Sequence, residues 1–421
     1  MPTLTKTDKF NLNDYLTNFI FNSELNLFNT TTTLIEDIEY DGKIFKKYLN
    51  EFWTSKQRQA NSIHEVSYRA CFKPQLPLFL INLLTKENDV VYDPFCGRGT
   101  TVIEAALMRR NIIANDINPL SQIISQARLN IPDLKKLNDR LKSIPIINKI
   151  KSDIDLTMFY HCDTLKEILS IKKYLSDKKH NNSEDEIDKW IRMVATNRLT
   201  GHSKGFFSVY TLPPNQAISA ESQIKINKSK NQTPEYRNTK EIIFKKSVDL
   251  TKDINDSLKK NLNDVSRNAI FLNKDSRHTD EIINNIVQLT VTSPPFLDIV
   301  QYHDDNWLRC WFNDIDVDEI SKKITMAKKI EDWCEIMTGV FKQLYRITKH
   351  GGWVAFEVGE VRKGKIKLDE HILRIGIKSG FECKGIMINS QSFTKTANIW
   401  GVKNNQDGTN SNRIVIFYKE H

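Results

Sequence analysis

Two kinds of apolar pattern alternate along the chain. Short unbroken runs, such as Val90-Val-Tyr, Ile112-Ile-Ala and Ala269-Ile-Phe-Leu, are what strands buried on both faces of a parallel sheet require. Trp353–Phe356 reads the same way, and Val287–Val291, broken by Gln288 and Thr290, also reads as a strand. Between them, apolar residues recur at three and four spacing, which predicts helices over Phe72–Leu84, Val102–Arg110, Thr164–Tyr174, Ile187–Leu199 and Trp333–Ile347. Lys240–Leu262 continues that spacing as one long lysine-rich amphipathic run. Two late runs, Gly380–Ile388 and Arg413–Tyr418, predict a closing hairpin. Gln301–Phe312 carries Tyr302, Trp307 and Trp311, read as core packing. The alternation implies an α/β sheet flanked by helices.

The first strand–helix unit carries candidate chemistry. Val90–Tyr92 runs into Asp93-Pro-Phe-Cys-Gly-Arg-Gly-Thr-Thr, in which Gly97 and Gly99 allow a tight turn whose backbone approaches a ligand. Thr100 or Thr101 can cap the following helix. The second strand ends in Asp116, where folds of this kind bind ribose hydroxyls, and Pro119 opens the next helix. Asp93 and Phe95 sit at the strand's C-terminal edge, where open α/β sheets bind ligands. The pattern is GxG followed by Thr-Thr, so a dinucleotide fingerprint fits poorly.

A second motif, Ser293-Pro294-Pro295-Phe296, follows the Val287 strand and resembles the [DNS]PP[YFW] motif of amino-methyltransferases, which implies the following chemistry. An exocyclic amine on a base is a weak nucleophile, because its lone pair is conjugated with the ring. Acceptors outside the ring plane draw the nitrogen towards tetrahedral geometry and release that pair. Ser293 Oγ and the Pro294 carbonyl are two such acceptors, and proline's fixed φ keeps the loop rigid. Phe296 would stack on a flipped base. The other Pro-Pro pair, Pro213-Pro214, reads as a turn. Methylation at cytosine C5 needs a cysteine after proline, and the chain has no Pro-Cys dipeptide.

DPFCGRGTT and SPPF together resemble the motifs of DNA amino-methyltransferases, usually DPFxGSGTT and [DNS]PP[YFW]; Arg98 stands where serine is usual. The resemblance covers about 65–125 and 268–420. It implies a Rossmann-like class I methyltransferase: a mostly parallel seven-stranded sheet with a C-terminal antiparallel hairpin. S-adenosyl-L-methionine is the implied cofactor, with Lys73 near its methionine end. Asp93, Phe95, Gly97, Gly99, Thr100 and Asp116 would surround it, and Asp275 would meet its adenine amino group. A helix-capping role before Ser276 is the alternative for Asp275. Serine before the prolines is the usual pattern for N4-cytosine enzymes, with N6-adenine the alternative. Double-stranded DNA is the implied partner, together with a cognate restriction endonuclease where one accompanies it.

Asp93 and Ser293 are 200 positions apart, where three strand–helix units need only about 90. The surplus is assigned to a largely helical insertion over 130–265, dividing a catalytic domain of 61–129 and 266–421. Residues 1–60 are expected to form a helical extension. The formal charge is +9, and Ile191–Lys260 alone holds 13 Lys and Arg against 6 Asp and Glu. With the aromatic loop around Lys204, that stretch reads as a DNA-recognition surface, and as a lid with a solvated face in the alternative. The six cysteines are scattered without a CxxC pair, so neither a disulfide framework nor a zinc site is expected. No apolar run reaches membrane-spanning length and the start lacks a secretion signal, which together suggest the cytoplasm. An N2-guanine RNA methyltransferase and a catalytically silent nucleic-acid-binding subunit are the competing readings.

Overall fold

A computed structural model describes residues 10–21, 32–53, 60–69, 71–212, 217–295, 302–323, 327, 329–361, 366–390 and 411–420. Its strands are β1 (Leu34–Tyr40), β2 (Lys43–Asn50), β3 (Val90–Asp93), β4 (Asn111–Asn115), β5 (Ile270–Leu272), β6 (Val287–Thr292) and β7 (Thr348–Val358). Two short strands, β8 (Glu360–Val361) and β9 (Ile366–Lys367), pair only with each other. β10 (Glu382–Ser390) and β11 (Ser411–Tyr418) complete the set.

One nine-stranded sheet runs in the order β1-β2-β10-β11-β7-β6-β3-β4-β5. From β7 to β5 every neighbouring pair is parallel, and β11 enters antiparallel to both β7 and β10. These are the seven strands and the closing hairpin expected. The order reverses at β3, which has β4 on one side and β6 on the other. Chain connections leave a crevice at such a switch point, at the strands' C-terminal ends. The tip of β3 carries the glycine turn, and the tip of β6 carries Ser293.

Three expectations change. Residues 1–60 are not an all-helical extension: beside the short Leu12–Thr17 helix they contribute the β1–β2 hairpin, and β2 docks parallel on β10. The Lys240–Leu262 run is two helices, Thr239–Thr251 and Asp256–Ser266, because Asn255 caps the second by accepting from the Leu258 amide. The inserted helices share the catalytic sheet's core: Leu137, Trp190 and Ile243 belong to one buried cluster with Ile103, Ala106 and Leu289. Trp307 and Trp311 pack against that cluster, as expected.

Candidate active site

The glycine turn is shaped by contacts from beneath. Gly97 and Gly99 have φ of +51° and +79°, a region costly for residues with a Cβ. A Cβ on Gly99 would lie 2.5 Å from Ser125 Cβ and 3.1 Å from an Arg128 nitrogen. Arg128 is fully buried and donates to the carbonyls of Arg98, Ile63 and Ile124, so its guanidinium holds the turn from its inner side. Gly99 itself forms the N-cap of the Thr100–Leu107 helix. Neither threonine caps it: Thr101 Oγ1 donates to the Val291 carbonyl at 3.0 Å, and Thr100 Oγ1 accepts from Arg98 Nε at 3.0 Å.

Asp116 joins the turn to the second strand. Its Oδ2 accepts from the Gly97 amide at 2.8 Å and its Oδ1 from the Asn118 amide at 2.9 Å. Burial pushes its pKa up to about 6 despite those two bonds. A carboxylate has about four acceptor sites, so two remain for hydroxyl donors, as a ribose would supply. The site therefore fits an adenosyl group.

Asp93 is placed differently from a ligand contact. It is 1% exposed; its Oδ1 accepts from Thr292 Oγ1 at 2.6 Å and from the Phe95 amide at 3.1 Å. Burial pushes its pKa up to about 7, and the bonds from Thr292, Phe95 and Thr101 offset only part of that. Asp93 thus ties the tip of β3 to the tip of β6, holding the two motifs against each other.

Asp275 lies beyond β5 and is doubly engaged. Arg277 Nε donates to its Oδ1 at 3.0 Å, and the Arg277 amide donates to the same oxygen at 2.9 Å. Its pKa is lowered: these bonds to Arg277 outweigh the upward push of burial. Lys73 is surface-exposed at the mouth of a cavity of about 180 Å³, shared with His64, Cys71, Pro74, Gln75 and Arg98. Partial burial lowers its pKa. Ser293 and Pro294 follow β6, and Trp333 Nε1 donates to the Pro295 carbonyl at 3.0 Å, fixing the loop there. Phe296 lies outside the described residues, as do Pro213 and Pro214.

Sequence reasoning missed several supports of this site. Buried Asn115 donates to the Lys274 carbonyl at 2.9 Å and to Ser276 Oγ at 3.1 Å, stitching β4 to the segment after β5. Arg98 donates to the carbonyls of Val66 and Phe72, so it pins both residues across the turn. All six cysteines are free. Among the described residues one trio, half-buried His161 with exposed Cys162 and Asp163, has metal-compatible spacing, but His161 Nδ1 caps its helix by accepting from the Asp163 amide.

Residues 5–126 match the family model described as DNA methylase. The chain resembles the DNA amino-methyltransferases. That bears out the expected family likeness and, with it, S-adenosyl-L-methionine as cofactor. The type II methyltransferase M.MjaII of Methanocaldococcus jannaschii is 29% identical over 32% of this chain and 26% of its own length. The type II methyltransferase M.MvaI of Kocuria varians is 30% identical over 27% of this chain and 24% of its own. A tRNA (guanine(10)-N2)-dimethyltransferase of M. jannaschii is 31% identical over 20% of this chain and 24% of its own. The chain thus aligns with about a quarter of the length of each of these methyltransferases. Among the described residues no helix is long and apolar enough to cross a membrane.

Proposed function

We propose that this methylase-like chain transfers a methyl group from S-adenosyl-L-methionine to the exocyclic amine of a base flipped out of double-stranded DNA, with cytosine N4 as the acceptor. The observation that carries the reading is the Asp93–Thr292 bond, which sets the cofactor turn and the Ser293-Pro294-Pro295 loop side by side. Gly97, Gly99 and Asp116 would hold the adenosine moiety, whose attached sulfonium supplies the methyl group. Lys73 would lie towards the methionine end. Asp275 would reach the adenine amino group only by sharing its carboxylate with Arg277. Ser293 Oγ and the Pro294 carbonyl would accept from the target amine, and Phe296 would stack on the base. No covalent intermediate is required; rate comes from in-line positioning and preorganised dipoles.

Duplex DNA as partner is supported by two adjoining cavities of about 400 Å³ each, which share Arg198 and Lys246. They run from Tyr68 and Arg98, beside the glycine turn, to Lys204 and Lys245 on the insertion. Burial lowers the pKa of both Arg198, to about 10, and Lys246; Arg309 lowers Arg198 further and Arg198 lowers Lys246 further, while Glu65 and Asp249 offset part of the fall in each. A phosphate would compensate the Arg198 charge, Lys246 being paired with Glu65 at 3.5 Å.

DNA from cells expressing the protein, digested to nucleosides and analysed by mass spectrometry, tests the reading. N4-methylcytosine is the expected product. N6-methyladenine alone overturns the base assignment but not the amine chemistry, and activity confined to RNA, as the tRNA methyltransferase relative would suggest, overturns the DNA substrate.

A further inference from the structure

The candidate catalytic loop has a partner on the neighbouring strand that its motif does not contain. β6 and β7 run parallel with Thr292 beside Phe356, so the next position along sets Ser293 beside Glu357. From that position the Ser293 side chain acts on the Glu357 carboxylate, whose Oε1 accepts from Asn412 Nδ2 at 3.1 Å. Glu357 is 7% exposed, between the fully buried Phe356 and Val358. Among the described residues, Ser293 on the β6 tip and Asn412 on β11 are the polar groups acting on it, and no cation offsets its burial. A buried carboxylate without a cation lowers stability. Its place behind the one hydroxyl of the motif gives it a chemical use.

We infer that Glu357 is a positioning residue that works through Ser293: by taking the hydroxyl hydrogen bond, it turns the Oγ lone pairs towards the substrate amine and makes them more basic. The inference rests on the amine chemistry proposed above. A hydroxyl that donates to a carboxylate is polarised into a stronger acceptor, so the pair Ser293–Glu357 delivers what a carboxylate in the motif itself would. In the step, the amine lone pair forms the N–C bond and the S–C bonding electrons return to sulfur. The surplus N–H proton passes to Ser293 Oγ, while the hydroxyl proton passes to Glu357. The products are a neutral N-methyl base, a neutral thioether and Glu357 as the free acid, which later returns its proton to water. Burial raises the Glu357 pKa, so the rate falls on the acid side as this carboxylate is protonated.

Steady-state methylation of duplex DNA by the full chain tests this across pH. Glu357→Gln should lower kcat by roughly 10- to 100-fold, leave KM for DNA unchanged and remove the acid limb of the kcat profile. Adding Glu357→Gln to Ser293→Ala should cost nothing further, since the glutamate acts only through the serine. Calorimetric binding of S-adenosylmethionine at wild-type affinity certifies each variant as folded. Should Glu357→Gln fail that check, Glu357→Asp takes its place, with a lowered kcat and a retained acid limb expected. A kcat within about twofold of wild type, a limb that survives Glu357→Gln, a limb lost in Glu357→Asp, or losses that multiply in the double variant would each overturn the inference while the amine reading stands. A wild-type enzyme that forms no N-methylated base overturns the amine reading itself, and this inference with it.

Discussion

Single residues decide whether the crevice forms. Gly99 is held between a backbone conformation that disfavours side chains and a 2.5 Å approach to Ser125. Gly99→Ala should therefore weaken S-adenosylmethionine binding by more than about tenfold, equivalent to roughly 1.4 kcal/mol, in a calorimetric titration. Unchanged affinity would exclude the turn from the cofactor site. Asp93 makes a different prediction, through pH. Its folded-state pKa, near 7, lies above the ordinary 3.8, so the native state holds a proton that the unfolded chain has released. The resulting stabilisation is complete below about pH 4 and is lost as pH rises towards 7. Asp93→Asn keeps an acceptor for Thr292 and cannot titrate. Between pH 5 and 8 the wild type should lose roughly 2–4 kcal/mol more stability than this variant, measured by urea unfolding. Parallel pH dependences would show that Asp93 is already ionised in the fold.

At the scale of elements, the strand tips are held together by links between segments distant in sequence. Arg98 is the clearest: one guanidinium donates to Thr100 Oγ1, the Val66 carbonyl and the Phe72 carbonyl. Arg98→Ser, which restores the serine usual in the motif, should free residues 66–72 and lower stability by about 1–3 kcal/mol. Hydrogen exchange of the 66–72 amides should rise at the same time; unchanged exchange would mean the segment is held by its own packing. This explains what was legible beforehand. The parallel strands showed themselves because burial on both faces demands unbroken apolar runs. β1 stayed hidden because its Leu-Ile-Glu-Asp-Ile-Glu-Tyr stretch is mostly exposed, with Leu34 at 66%, and so lacks a one-sided pattern. The site motifs were legible as residue types, but the direction of each side chain was not. Asp93 was read as a ligand contact from its place at a strand edge, yet it points into the sheet towards Thr292. Glu357 carried no signal at all, because its role comes from register between β6 and β7 and not from spacing along the chain.

For the whole molecule, the insertion matters because it supplies one wall of the basic groove. Removing the exposed cations Lys204 and Lys245 together should weaken duplex binding and lower its salt slope by about two. Lys225, Lys228 and Lys230 are also exposed, on and just after the Ala220–Ser229 helix, and Lys230 covers the Tyr210 ring at 4.3 Å. Replacing those three serves as the comparison. Fluorescence anisotropy at several salt concentrations separates the two surfaces: a slope that survives loss of Lys204 and Lys245 places the duplex elsewhere.

The docking of β2 on β10 bears on how the chain reaches this state. The joint continues past the strands, where Asn389 accepts from the Phe52 amide at 2.7 Å across 337 positions. β2 is therefore synthesised long before the strand on which it docks. Closing so long a loop is slow, although its entropic cost grows only weakly with length. Until then the hairpin, including buried Tyr48, lacks the strand that completes its packing. Completion of this side of the sheet, and with it protection of the β1–β2 hairpin from aggregation, waits until β10 has been made.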